Sequence, residues 1–81
     1  MTEPRRARGT HTYTVIFERD EEGWYVATAP ALPCSAQGRT RAVALRRLEE
    51  AVEAFVAARR AHGWSIPRES QKVVSTLKVA V

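Results

Sequence analysis

The sequence predicts one α+β domain of two layers, in which a four-stranded mixed sheet is covered on one face by one long helix. Three observations support this fold class. Two segments near the N-terminus are rich in β-branched and aromatic residues, and the first of them alternates. Apolar residues recur at three- and four-residue spacings after Thr40, and a strand pattern returns in the last ten residues. The predicted order is β-β-β-α-β. The length of 81 residues fits one domain. We assign it residues 12–81, after a disordered basic tail at 1–11.

The first two strands are predicted at His11–Arg19 and Trp24–Ala29. Both segments are rich in β-branched and aromatic residues, and the first alternates along its length. The polar link between them, DEEG, ends in Gly23, which can adopt a positive φ. So short a link predicts an antiparallel hairpin.

A corner and a short third strand follow the hairpin. Pro30 and Pro33 end the second strand because proline has no backbone N–H to donate to a ladder. The segment Cys34–Gly38 is long enough for a third strand. Alternation there places Cys34 and Ala36 on one face, and Ser35 and Gln37 on the other.

The helix is the most clearly patterned element. Thr40 is the predicted N-cap, since its hydroxyl can accept a hydrogen bond from a free amide of the first turn. Gly63 is the predicted end, with Pro67 shortly beyond it, so the helix has about six turns. The residues of its apolar stripe are Ala44, Leu45, Leu48, Ala51, Val52, Phe55 and Val56.

The fourth strand is predicted at Lys72–Val81. Val73, Leu77, Val79 and Val81 share one of its faces. A helical crossover makes this strand parallel to the one that it joins. The first strand is the expected neighbour, which leaves the third and fourth strands at the two edges of the sheet.

Charge and composition limit the possible partners and the cellular location. The net charge is +4, and Arg5, Arg6 and Arg8 make the tail basic. These three arginines are candidate nucleic-acid residues that would contact phosphates without sequence preference. A single cysteine cannot form an intrachain disulfide, and no apolar run is long enough to span a membrane. We therefore expect a cytoplasmic protein with no membrane partner.

The sequence offers no assembled catalytic or metal site. Cys34 would need a nearby base to act as a nucleophile, and His11 and His62 lie at the ends of other elements. Two histidines without cysteine pairs do not indicate zinc. The carboxylates of Asp20–Glu22 are consecutive on a turn and diverge, whereas a metal needs them to converge. We expect no enzymatic activity and no cofactor.

Adjacent aromatic residues indicate a binding surface. Trp24 and Tyr25 must point to opposite faces of the sheet, and one helix covers only one face. One ring, with Ile16 or Tyr13 beside it, is therefore expected on the uncovered face. These four are the candidate partner-binding residues, because apolar patches with polar rims mark interfaces. The small core also predicts a homo-oligomer, either a dimer or a tetramer.

Several short motifs occur in a familiar order. A glycine-aromatic start to the second strand precedes a Pro-x-Leu-Pro corner, a cysteine, a Gly-x-Thr start to the helix, and an Ile-Pro pair. Residues 13–81 thereby resemble the HicB-like antitoxin family. The matching positions are Gly23 with Trp24 and Tyr25, then Pro30, Leu32 and Pro33, Cys34, Gly38 with Thr40, and Ile66 with Pro67.

The resemblance implies a partial ribonuclease-H-like fold that lacks the catalytic acids of that fold. It also implies an antitoxin that neutralises a HicA-type mRNA interferase toxin by steric occlusion, without catalysis of its own. Many members carry a DNA-binding helix-turn-helix or ribbon-helix-helix domain after this one, which the present sequence does not contain. Weak and non-specific DNA binding is therefore expected. The alternative functions are a stand-alone oligomeric scaffold and a weak RNA-binding module.

Overall fold

The computed structural model describes residues 10–69 and 75–81. Within them, three strands pair antiparallel in the order β1-β2-β3, and one helix follows. The α+β class is thereby confirmed. The elements are β1 (Ile16–Arg19), β2 (Tyr25–Ala29), β3 (Cys34–Gly38) and α1 (Arg41–Ala61).

The predicted hairpin joins β1 and β2. One carboxylate oxygen of Asp20, Oδ1, accepts hydrogen bonds from the backbone N–H groups of Glu22 and Trp24, each at 2.9 Å. Gly23 has a φ of 91°, which favours glycine. Asp20 therefore closes the turn with its side chain while Gly23 supplies the left-handed conformation.

The corner between β2 and β3 is part of the core. Leu32 is buried there, and its N–H donates to the carbonyl of Ala29 at 2.9 Å. The N–H of Cys34 then donates to the carbonyl of Leu32 at 2.8 Å. These bonds turn the chain directly into β3, which has the predicted bounds.

The core lies between the sheet and α1, which packs mainly over β3 and β2. Small residues dominate it, so the helix backbone comes close to the strands. A Cβ atom added at Gly38 would lie 2.7 Å from Val43 Cγ1 and 2.8 Å from the Ala44 backbone nitrogen. The buried apolar residues are Ala27, Ala29, Leu32, Ala44 and Leu48.

Both predicted ends of the helix are confirmed. The Thr40 hydroxyl accepts from the backbone N–H of Val43 at 3.1 Å, which makes Thr40 the N-cap. At the other end, His62 is the C-cap, and Gly63 follows with a φ of 74°. The helix thus begins at a hydroxyl that satisfies a free amide and ends where glycine reverses the backbone.

Replacing Thr40 by alanine is expected to lower the free energy of unfolding by about 1 kcal/mol, because the amide of Val43 loses its acceptor. Thr40→Ser keeps the hydroxyl and should retain most of the stability. Urea denaturation of the three proteins measures the difference. Equal loss in the serine and alanine variants would show that the hydroxyl does not cap the helix.

The predicted fourth strand is not confirmed, since the described residues form a sheet of three strands. No strand is present in residues 75–81, and the first three residues of the predicted segment, 72–74, lie outside the described residues. Leu77 is 86% exposed and Val79 is 62% exposed.

The first strand is also shorter than predicted, since it begins at Ile16 rather than His11. The register pairs Ile16 with Thr28, which would bring Thr14 opposite Pro30. Proline has no N–H, so the ladder ends at that level. Among residues 10–69 and 75–81, no helix is both long and apolar enough to cross a membrane.

Candidate partner-binding site

The sheet has one face packed against α1 and one face that no helix covers in residues 10–69 and 75–81. Tyr13 and Tyr25 pack against the buried core on the helical side. Ile16 is 48% exposed, and strand alternation places it on the other side together with Trp24. The four predicted partner-binding residues are therefore divided between the two faces, and Trp24 is the outward ring.

We call the side without a helix the open face. The register aligns its side chains in two rows across the sheet. Val26 makes the centre of one row apolar, and Thr28 and Ser35 give the other row two hydroxyls. The open face consists of Glu18, Val26 and Gln37 in one row, Ile16, Thr28 and Ser35 in the other, and Trp24 with Arg39 beyond the first row.

Trp24 is held by an arginine that the pairing places opposite it. Tyr25 pairs with Gly38, so the next residues outward, Trp24 and Arg39, face each other across β2 and β3. The guanidinium carbon of Arg39 lies 4.2 Å from the centroid of the Trp24 ring. This cation–π contact fixes the ring while the guanidinium keeps donors for a partner.

Arg39 was not singled out in the sequence analysis. The pattern there identified Trp24 as aromatic but gave no register between the second and third strands. With the Tyr25–Gly38 pair known, the next residues outward on the two strands are Trp24 and Arg39, which identifies the arginine.

Cys34 is half-buried, and the surroundings do not activate it. Burial raises the pKa of the Cys34 thiol, which favours the protonated form. Both histidines have other contacts: Nδ1 of His11 lies 3.2 Å from the Tyr13 hydroxyl, and His62 stacks on Trp64 at 4.4 Å between ring centroids. These contacts hold the two rings against Tyr13 and Trp64.

The raised pKa predicts low reactivity of Cys34. An aromatic disulfide reagent at neutral pH should modify it more slowly in the folded protein than in urea, because less thiolate is present. The rate should increase as the pH rises. Absorbance of the released thiolate measures both rates. Faster modification of the folded chain would indicate an activated cysteine instead.

The acidic residues of the hairpin turn lie within the described residues, whereas the arginines of the N-terminal tail do not. Asp20 uses its carboxylate to close the hairpin turn, which accounts for its position without a metal. Within the described residues, no group of three or more His, Cys, Asp and Glu side chains is arranged to hold a metal ion. Arg5, Arg6 and Arg8 lie outside the described residues.

Comparison with known proteins identifies close relatives. A UPF0150 protein of Thermoplasma acidophilum is 41% identical over 64 residues, which cover 78% of this chain and 93% of that protein. A UPF0150 protein of Synechocystis is 32% identical over 72 residues, covering 88% of this chain and 90% of the relative. A third UPF0150 protein, from Archaeoglobus fulgidus, is 33% identical over 45 residues, which cover 54% of this chain and 65% of that protein.

No protein-family model matches the chain, and neither does any solved structure. The first two relatives nevertheless align along nearly their whole length with the two-layer domain described above. On this similarity, the protein belongs to the UPF0150 family.

Proposed function

We propose that the protein is a HicB-like antitoxin that binds a HicA-type mRNA interferase in the cytoplasm and blocks its active site sterically. Two lines of support lead to this function. Residues 13–81 carry the ordered motifs of that family, and the domain presents a sheet face without a covering helix. The protein itself supplies a surface rather than a reaction.

The open face is the observation that carries the proposal. It combines an aromatic ring, Trp24, with the exposed aliphatic side chain of Ile16, and hydroxyl, amide and charged groups surround them. Protein interfaces have this composition, and their binding energy concentrates in aromatic and arginine residues. Arg39 already stacks on Trp24, so binding would cost less side-chain entropy than with a free ring.

The chemistry of the remaining groups supports binding rather than catalysis. The pKa of Cys34 is raised, so its nucleophilic form is disfavoured at neutral pH. Asp20 is committed to the backbone of its own turn. A steric inhibitor needs neither group to react.

Co-expression with a HicA-type toxin, sought in the reading frame next to this one, is the direct test. We expect a stable complex and restored growth. Trp24→Ala should raise the dissociation constant at least about 30-fold, because truncating an aromatic anchor costs about 2 kcal/mol. Calorimetry measures the affinity, and circular dichroism checks that the variant remains folded.

Trp64→Ala is the matched control for this experiment. Trp64 is 56% exposed but stacks on His62 beyond the end of α1, away from the open face. Its loss should leave the affinity unchanged. If both substitutions weakened toxin binding equally, the open face would not be the surface that contacts the toxin. Binding no tighter than to an unrelated basic protein would overturn the antitoxin function and favour a stand-alone scaffold.

A weak RNA-binding module is the second candidate, and the stacked Trp24–Arg39 pair favours it. Aromatic rings and guanidinium planes both stack on unpaired bases. Titration with single-stranded RNA at low and high salt, followed by tryptophan fluorescence, tests this function. Salt-sensitive binding that Trp24→Ala abolishes would favour it over the antitoxin. The absence of binding would exclude it.

A further inference from the structure

Two arginines lie over aromatic rings on the side of the sheet that α1 covers. The guanidinium carbon of Arg19 is 5.5 Å from the centroid of the Tyr25 ring, and that of Arg41 is 5.9 Å from the centroid of the Phe17 ring. Both distances are within the range of a cation–π contact, about 6 Å. Because the two rings pack against the buried core, they fix the direction of both arginine side chains.

The register brings the two arginines to the same end of the sheet. Arg19 pairs with Tyr25, and Phe17 pairs with Ala27, two residues further along β2. The two rings are thus diagonal neighbours, whose residues are about 7–8 Å apart in an antiparallel pair. Arg41 is the first residue of α1, so it joins the sheet at this end. Both guanidinium groups can therefore contact one short stretch of an anionic chain.

The charge of this pair is not neutralised by carboxylates within residues 10–69 and 75–81. Both side chains are exposed, and neither forms an ion pair with another described residue. The first turn of α1, where aspartate and glutamate are favourable, contains no acidic residue. A third cation, Arg39, lies just beyond the same end of the sheet, over Trp24. We call these three residues, Arg19, Arg39 and Arg41, the arginine end.

We propose that the arginine end binds the phosphodiester backbone of a single-stranded nucleic acid. Guanidinium groups donate paired hydrogen bonds to phosphate oxygens, and stacking on a ring leaves those donors free. A strand whose phosphates contact Arg19 and Arg41 would continue to Arg39, where an unpaired base can stack with Trp24. Arg19 and Arg41 lie on the side opposite the open face, so this binding and the proposed toxin binding can fail independently.

The arrangement of the arginine end favours nucleic acid over an acidic segment of a protein. Its cations come from three places, the end of β1, the link after β3 and the start of α1, which suits the repeated charges of a phosphate backbone. The rings of Phe17 and Tyr25 pack against the core, and each has a guanidinium group over it. They therefore offer little apolar surface on which a peptide side chain could anchor.

Fluorescence anisotropy with a labelled single-stranded RNA of about six nucleotides tests the site. Arg19→Gln and Arg41→Gln should each raise the dissociation constant at least about fivefold at 50 mM salt. Each should also lower the slope of log affinity against log salt by about 0.7, because one phosphate contact is lost. Circular dichroism checks that the variants remain folded. A parent protein that does not bind the RNA at this salt concentration would overturn the proposal.

Arg60→Gln is the matched control, because it removes the same charge from the last turn of the same helix. Arg60 lies about 28 Å along α1 from Arg41, beyond the screening length at 50 mM salt. Its substitution should change the dissociation constant less than about twofold. Equal losses in Arg41→Gln and Arg60→Gln would show that only the net charge matters, which contradicts a site at the arginine end.

The acidic turn beside the site gives a change of opposite sign. Glu21 and Glu22 are exposed in the turn that follows β1, and their charges repel a phosphate held by Arg19. The double variant Glu21→Gln/Glu22→Gln should therefore bind the RNA more tightly. Weaker binding would indicate that the RNA contacts the turn in another way and would contradict the proposed site.

Competition with other anions identifies the class of ligand. Unlabelled RNA, inorganic phosphate and polyglutamate are each titrated against the labelled complex at equal concentrations of charge. RNA should displace the label most effectively, because only a nucleic-acid strand offers both linked phosphates and bases. Equal displacement by inorganic phosphate would reduce the arginine end to a site for free phosphate. Stronger displacement by polyglutamate would favour an acidic protein partner, and either result would overturn the proposal.

Discussion

Leu48→Ala is expected to lower the free energy of unfolding by about 3 kcal/mol. Leu48 is 2% exposed and is the largest side chain that is fully buried in the described residues. The buried strand residues of the core include Ala27 and Ala29, whose methyl groups cannot expand into the space that the substitution leaves. A cavity would therefore remain, which adds to the lost burial. Urea denaturation measures the change.

Leu45→Ala is the matched control, because it removes the same atoms three residues earlier on the same helix. Leu45 is 38% exposed, so its replacement should cost no more than about 1 kcal/mol. Both variants should be compared at the same protein concentration. Similar losses would contradict the placement of Leu48 at the centre of the core.

Gly38→Ala should also be strongly destabilising, by about 3 kcal/mol. The added methyl group would lie 2.7 Å from Val43 Cγ1 and 2.8 Å from the Ala44 backbone nitrogen. A side chain can rotate away, but a helix backbone cannot, so the first turn of α1 must move off the sheet. Thermal and urea unfolding measure the loss of stability.

Two further variants separate steric overlap from backbone strain. Adding Val43→Ala to Gly38→Ala should recover only part of the stability, because the contact with the Ala44 nitrogen remains. Gly63→Ala meets no atom within 4 Å but has a φ of 74°, so it should cost about 1 kcal/mol. If the double variant recovered full stability, the steric overlap would involve only the Val43 side chain and not the backbone of Ala44.

The elements that the sequence predicted correctly depend on local interactions. The hairpin follows from a polar turn with Gly23, and the helix start follows from the hydroxyl of Thr40. The third strand has its predicted bounds because Pro33 precedes it and Gly38 ends it against the helix. In each case, the residues that determine the structure lie within a few positions of it.

The features that were missed depend on contacts between distant residues. The predicted pairing of the last strand with the first is not present in Ser75–Val81, because alternation indicates a strand but a pairing depends on contacts far along the chain. The stacking of Arg39 on Trp24 depends on the register of β2 and β3. Tyr13 and Tyr25 were grouped with Trp24 as candidates because the sequence did not specify which face the helix covers.

The exposed C-terminal segment is also expected to affect how long the protein persists in a cell. Proteases cleave accessible chain far more readily than packed chain, and Leu77 and Val79 offer an exposed apolar stretch of that kind. A partner that covers this stretch would slow its cleavage. The half-life of the protein would then depend on the supply of that partner, so that a fall in the partner's synthesis would shorten the life of the remaining copies.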